Sequence, residues 1–488
     1  MPKILDQSQI RQKKLEKLSQ LGMDAYPARV KRTHTCEEVF FEYEKLTKEK
    51  GITLVGRLRS IRLHGGSCFA HIEDGTGKIQ VYFKKDTLGE KEYQLLTGFT
   101  DIGDFLEVTG KLFTTKKGEK TLMIEKAKII SKSLTPLPEK WHGLSDIEIR
   151  YRQRYLDLIA NPEVKAIFRK RSLIIKFIRE FLDGEGFIEV DTPILQSLPG
   201  GALAKPFKTH HDALNTDLYL RIAPELYLKR LIIGGFERVY EIGRCFRNEG
   251  IDRDHNPEFT QVEFYVAYQD YQWMMEFVEK LIVYLLEKVN KYLMIEYQGN
   301  QIDFTAPYPH LTFRDAVKKY VKINIDEYQD RDSLAKKAKE IGLKIDKTFG
   351  RGKILDQIYK EWVRPEIINP TFITDYPIEL SPLAKKKHDN QNYTERFQLL
   401  AGGIELTNAF SEINNPLDQK ERFEAQEKLR KAGDEETQRI DYDFLEALEY
   451  GMPPTTGIGI GIDRLVALLT NSHNLKEVIL FPTLKPKK

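Results

Sequence analysis

Near the C-terminal end of the chain, glycine and isoleucine alternate through Gly457-Ile458-Gly459-Ile460-Gly461-Ile462, and Asp463-Arg464-Leu465 follows directly. Successive side chains of an extended strand point to opposite faces, so this run has one apolar face and one face bare of side chains. A bare face lets backbone approach a planar ligand closely. The spacing is not the GxGxxG of a dinucleotide-binding turn, and no Gly-Lys-Ser/Thr phosphate loop is present. Arg464 falls in the expected first turn of a following helix, where a flat guanidinium can stack on a ring system.

Three further segments carry candidate chemistry. Gly243-Arg244-Cys245-Phe246-Arg247-Asn248-Glu249 runs into a polar loop and then His255-Asn256-Pro257-Glu258-Phe259. Read as a strand, it places Arg247 and Glu249 on one face. In the next strand Phe259, Gln261, Glu263 and Tyr265 share one parity and Val262, Phe264 and Val266 the other. One face is therefore core and the other polar, and a glutamate beside a tyrosine on a cleft floor can bind an ammonium group. Glu225, in Ala223-Pro224-Glu225-Leu226-Tyr227-Leu228-Lys229, supplies a second carboxylate. In Leu400 to Glu412, Asn408, Phe410 and Glu412 share a parity that Glu405 does not. A bulge must intervene if Glu405 and Glu412 meet on one ligand. Two carboxylates with phosphate oxygens suit magnesium.

At 488 residues the chain is expected to hold two or three domains. Hydrophobic residues make up 41% and charged residues 31%, a globular composition. No apolar run reaches the roughly 18 residues of a membrane span, and the N-terminus lacks a secretory apolar core. Three scattered cysteines without CxxC argue against a disulfide framework or zinc site and fit the reducing cytoplasm. The net charge of +3 neither announces nor excludes a nucleic-acid partner. Residues 1–50 are expected as a helical extension, with a lysine-rich amphipathic helix at 8–21 read either as a solvated helix or as a basic arm on RNA. Residues 51–136 hold about five short strand-like runs separated by turns, which suits an OB-fold barrel, and 137–150 read as a linker. From 151 to 488 helices mix with strands. Apolar helical faces are expected at 163–183 and 271–292, and 312–364 reads as a small helical insertion.

Gly186-Phe187-Ile188-Glu189-Val190-Asp191-Thr192-Pro193, the Arg247 to Phe259 segment and the Gly457 to Arg464 segment resemble, in order, motifs 1, 2 and 3 of the class II aminoacyl-tRNA synthetases. With the barrel-like region in front, nearly the whole chain resembles the class II lysyl-tRNA synthetases of bacterial type, a subgroup shared with aspartate and asparagine enzymes. The class I signatures HIGH and KMSKS are absent. The resemblance implies an α+β fold: an OB-fold barrel that reads an anticodon, then a class II catalytic domain with an antiparallel sheet flanked by helices. It implies a homodimer built on motif 1. For ATP it implies Arg247, Glu249, His255, Phe259, Glu405 and Arg464, with Arg247 and Arg464 catalytic and Mg2+ on Glu405 and Glu412. For lysine it implies Gly201, Glu225, Glu263, Tyr265, Asn408, Phe410 and Glu412. The physical reading agrees, since Glu225 and Glu263 stay ionised together only if a cation joins them. On the barrel, Phe69, His71 and Gln80 are the anticodon candidates, Phe69 expected to stack on a base and Gln80 to read an edge, with Arg57, Arg59 and Arg62 nearby. The implied partners are tRNA(Lys), L-lysine and ATP, without a membrane. Three other readings stay open: an aspartyl or asparaginyl enzyme, an inactive RNA-binding paralogue, and a ligase passing an adenylate to another acceptor. The acidic pocket speaks against the first, the intact motifs against the second, and the barrel region against the third.

Overall fold

The computed structural model describes residues 6–138, 144–346, 349–431, 437 and 439–486. Residues 139–143 of the expected linker, and 347–348 of the expected insertion, lie outside the described residues. The chain divides into two compact units, Met1–Gly143 and Leu144–Lys488.

In the first unit, strands Ile52–His64, Ser67–Glu73, Lys78–Lys84, Phe105–Thr114 and Lys120–Ser131 close into a barrel, the last lying between the third and fourth. Alternation decides what fills it. Cys68, Ala70 and Ile72 face inward and pack with Ile79, Val81 and Phe83, while the residues between them face out. Helix Glu90–Phe99, between the third and fourth strands, is not read from the sequence. The N-terminal helix Gln7–Gln20 buries Leu18 in the barrel cluster. Arg11 donates to the Ser133 carbonyl at 3.0 Å and Lys14 to Asp101 at 2.7 Å, so these two basic residues dock the helix.

The second unit is built on an eight-stranded sheet. Its order is His310–Thr312, Thr371–Pro377, Tyr393–Ala401, Ile404–Ser411, Thr455–Gly461, Glu258–Ala267, Arg238–Phe246, Ile188–Glu189. The six central strands pair antiparallel, and only the two outermost pairings are parallel. Val262, Phe264, Val266, Ile458 and Ile460 form one apolar face. Helices Pro162–Gly184 and Tyr271–Val289 cover it with Ile174, Ile178, Leu182, Met274, Val278 and Leu281. Asp270 caps the second helix through the amides of Gln272 and Trp273. The other face of the sheet stays open as the floor of a cleft.

The parallel pairing of His310–Thr312 with Thr371–Pro377 requires a crossover. The helices Phe313–Val321, Arg331–Glu340 and Arg351–Ile358 lie within it, and Phe313, Val317, Leu334, Ile354 and Ile358 pack in one cluster with Ile373, Tyr376, Tyr393 and Leu400 of the sheet. Between the 393–401 and 404–411 strands, Leu399 faces Thr407 but Leu400 faces Glu405. Leu406 is therefore the extra residue of a bulge, and Glu405 turns to the same open face as Asn408.

Candidate active site

The cleft, of about 550 Å³, is floored by two neighbouring rows of residues across the sheet. In the first, Glu263 stands between Glu241 and Gly459, and Gly459 faces Asn408, which in turn faces Gln398. In the second, Tyr265 stands between Val239 and Gly457, with Phe410 and then Arg396 beyond. The alternate glycines divide their work. A Cβ on Gly457 would lie 2.2 Å from the Tyr265 ring and 2.5 Å from Glu412 Oε1, so this glycine makes room for the protein's own side chains. Gly459 and Gly461 remain open to the cleft. Gly201, with φ +86°, brings its backbone against Glu225, where a Cβ would come within 2.8 Å of the Glu225 Cβ.

Glu225, Glu263, Glu412 and Tyr265 are all buried. The cation that these carboxylates require is already partly present in the chain: Lys229, four residues after Glu225 on helix Glu225–Ile233, places Nζ 2.6 Å from Glu225 and 2.5 Å from Glu412 Oε2. Burial alone would push Lys229 down, but the two carboxylates outweigh it and hold the ammonium charged. Glu263 has no cation on it among the described residues. It accepts from the Gln261 amide at 2.7 Å and the Tyr265 hydroxyl at 3.2 Å. Burial, reinforced by the charge of Glu225, pushes its carboxyl up to about 8. Burial likewise drives Tyr265 well above its usual range. Glu412 Oε1 is buried without a partner among the described residues. Beside this pocket, Arg221 pairs with Glu241, and Thr192 of the first motif donates to the same carboxylate at 2.7 Å. Arg396 lies 4.6 Å over the Tyr376 ring and donates to Asn408 at 2.9 Å.

The other end of the cleft is cationic. The 238–246 strand ends before Arg247, so Arg247 and Glu249 share the cleft from the loop beyond it and not from a strand face. The Arg247 guanidinium lies 5.0 Å over the Phe259 ring, and its buried Nε has no partner among the described residues. Arg464 occupies the third position of helix Ile462–Leu469 and comes within 3.5 Å of His255, whose ring also meets Asp252 at 2.9 Å. Burial lowers the pKa of Arg464, and Glu405 offers the largest opposing charge. Asp463 anchors that helix through Arg171 at 2.6 Å and the Thr260 amide at 3.1 Å.

Glu405 and Glu412 are not brought together. Along the strand they lie some seven residues apart less the bulge, about 20 Å of extended chain. Glu405 lines the cleft 3.8 Å from Arg364, whereas Glu412 is shielded beneath it on Lys229. Among the described residues no three acidic, histidine or cysteine side chains gather as a metal site. Glu405 alone fits magnesium, which takes one or two carboxylates and completes its shell with phosphate oxygens and water.

On the barrel, Phe69 stacks on Tyr82 with ring centroids 4.4 Å apart, and Phe113 extends the platform 6.0 Å from Tyr82. His71 faces Gln80, and both reach Glu119, at 3.2 and 2.9 Å. Arg62 faces Phe69 across the strand pair. Arg57 lies over the Phe105 ring and Arg59 pairs with Glu73. Tyr82, Phe113 and Glu119 are missed by the sequence reading, although Tyr82 follows Gln80 on the same strand parity.

An open antiparallel floor with arginines at one end and buried carboxylates at the other, in three ordered motifs, is the architecture of a class II synthetase. The chain belongs to that family: residues 146–485 match the tRNA synthetases class II (D, K and N), and residues 52–130 match the OB-fold nucleic acid binding domain. It is 52% identical over 479 residues to the lysine--tRNA ligase of Thermoanaerobacter pseudethanolicus, covering 98% of this chain and 96% of that one. It is also 50% identical over 478 residues to the lysine--tRNA ligase of Carboxydothermus hydrogenoformans, and 48% over 479 residues to that of Moorella thermoacetica, covering 98% of both chains in each case.

Proposed function

We propose that this chain activates L-lysine with ATP and transfers the lysyl group to the 3′ end of tRNA(Lys). The observation that carries this reading is Glu263: a buried carboxylate that lines the cleft without a cation among the described residues, beside the Tyr265 hydroxyl. A lysine ammonium completes that set, and Phe410 and the glycine-bared strand leave a path for its apolar stem. An aspartate enzyme needs cations at these positions.

The lysine carboxylate attacks the α-phosphorus of ATP in line, pyrophosphate leaves, and lysyl-adenylate forms. The 3′-hydroxyl of the terminal tRNA adenosine then takes the lysyl group and releases AMP. No side chain needs to become a covalent nucleophile. Arg247 meets the α-phosphate with donors aimed where charge develops. Arg464 stacks on the adenine face opposite Phe259, Glu249 accepts from the adenine amino group, and His255 reaches the outer phosphates. Gly201 borders the pocket beside Glu225, and Asn408 lines the path of the substrate stem. Glu405 would hold magnesium, which neutralises phosphate charge when bound.

Residues 51–136 would bind the anticodon, with Phe69, Tyr82 and Phe113 as stacking surface and His71 and Gln80 at base edges. Phe69→Ala is then expected to raise the KM for tRNA(Lys) about tenfold or more, since one base stack contributes roughly 1–3 kcal/mol. The lysine KM in pyrophosphate exchange, which needs no tRNA, stays as it was. A homodimer is supported by Ile188, exposed on the edge strand of the first motif, and by Ile194 and Leu195, exposed just after that motif. A cytoplasmic place is supported by three buried free cysteines. No helix among the described residues is long and apolar enough to cross a membrane.

Lysine binding is also expected to depend on pH. Glu263 holds a proton below about 8 in the free enzyme and must lose it to pair with an ammonium. The lysine KM therefore falls as pH rises from 6.5 towards 8 and levels off above, while the KM for ATP does not follow that curve. A flat lysine KM across this range overturns the assignment of Glu263. The decisive experiment for the function is ATP–pyrophosphate exchange with each amino acid offered separately. Exchange with lysine alone is expected, and exchange with aspartate or asparagine instead refutes it.

A further inference from the structure

We propose that Lys229 is a resident counter-cation of the amino-acid pocket: it occupies Glu225 and Glu412, and so reserves Glu263 for the ammonium of the substrate. The inference rests on lysine being the amino acid activated.

Lys229 is fully buried. Its Nζ sits 2.6 Å from Glu225 and 2.5 Å from Glu412, and lies 5.4 Å over the Phe410 ring and 5.9 Å over the Phe444 ring. Two carboxylates and two aromatic faces form the kind of cage that suits a lysine side chain. The pocket thus already holds one lysine, supplied by its own helix. Three carboxylates without Lys229 would offer a single incoming ammonium several competing partners. With Lys229 in place, Glu225 and Glu412 are engaged, and the carboxylate left facing the cleft is Glu263, supported by Tyr265. The carboxyl end of the substrate is thereby directed towards Arg247. Lys229 acts through these carboxylates and is a positioning residue.

The test is pyrophosphate exchange on the full chain, as wild type, Lys229→Met and Lys229→Ala. Wild type must exchange with lysine; if it does not, the functional reading itself fails and the variants are not at issue. With wild type active, Lys229→Met is expected to raise the lysine KM at least twentyfold and leave the ATP KM within threefold. Propylammonium is expected to restore lysine affinity to Lys229→Ala, and propanol, of similar size and neutral, is not. A lysine KM in Lys229→Met within threefold of wild type overturns the inference, as does equal rescue by propanol, which would mark a packing role. Should both variants fold poorly, Lys229→Arg keeps the charge but displaces it. A raised lysine KM with the ATP KM kept supports the inference, and an unchanged lysine KM overturns it.

Discussion

Glu263→Gln is expected to raise the lysine KM at least a hundredfold and, at the same time, to make the ligand-free enzyme more heat-stable at alkaline pH. The two effects share one cause. Glu263 is buried with neutral donors only, and burial pushes its carboxyl up to about 8. Its folded-state pKa thus lies above the unfolded value. The protonated form is tolerated, and stability is lost as pH rises through the range between the ordinary glutamate value and about 8. At pH 9 the ionised group costs up to about 5 kcal/mol in the empty pocket, which a bound ammonium offsets. Glutamine keeps the shape without the charge, so it removes both the cost and the binding. The gain in melting temperature is expected at pH 9 and to vanish near pH 6, where Glu263 already carries its proton. Calorimetry at the two values checks this, and an equal melting temperature for both proteins at pH 9 would mean that Glu263 has a cation the described residues do not supply.

Arg247→Ala is expected to lower the rate of lysine-dependent pyrophosphate exchange by about 10²–10³-fold, the usual loss when one donor to a developing negative charge is removed. The unpartnered Nε and the Phe259 ring beneath the guanidinium place a planar, preorganised donor at the cleft. Lysine binding, measured by titration without ATP, is expected to change less than threefold. Arg247→Lys does not restore the rate, because a point charge neither stacks on Phe259 nor offers two parallel donors. A kcat within tenfold of wild type for Arg247→Ala would remove Arg247 from the chemistry.

Much of this site is legible in the sequence because strands obey parity. Glu263 and Tyr265 against Val262, Phe264 and Val266 describe a two-faced strand, and the faces are as expected. Glu405 and Asn408 differ in parity, and the bulge at Leu406 turns them to one face without bringing Glu405 to Glu412. Parity says which face a side chain takes, but not which partner it finds. The resemblance implies Glu412 as a metal ligand beside Glu405, whereas its carboxylate holds Lys229. Lys229 itself is invisible to pattern reading, because a glutamate four residues before a lysine on an amphipathic helix has the form of an ordinary surface pair. Only the packing of Phe410 and Phe444 around it marks it as buried. Gly457 misleads in the opposite sense. Its alternation with Gly459 and Gly461 suggests one common purpose, yet the space it leaves is filled by Tyr265 and Glu412. Arg221 and Glu241 carry no local signal, since their pairing depends on strands and loops distant in sequence.

The open sheet also measures length. Glu263 and Phe259 both ride on the strand Glu258–Ala267, whose pairing with Arg238–Phe246 keeps register from Arg238 opposite Val266 to Phe246 opposite Glu258. The backbone spacing between Glu263 and Phe259 is set by the strand, at about 3.3 Å per residue, and no side-chain rotation alters it. An amino acid with the correct head but one methylene too few either releases Glu263 or stops short of the phosphorus. On the proposed reading the sheet would act as a gauge block, and reach, more than affinity, would separate lysine from its shorter homologue.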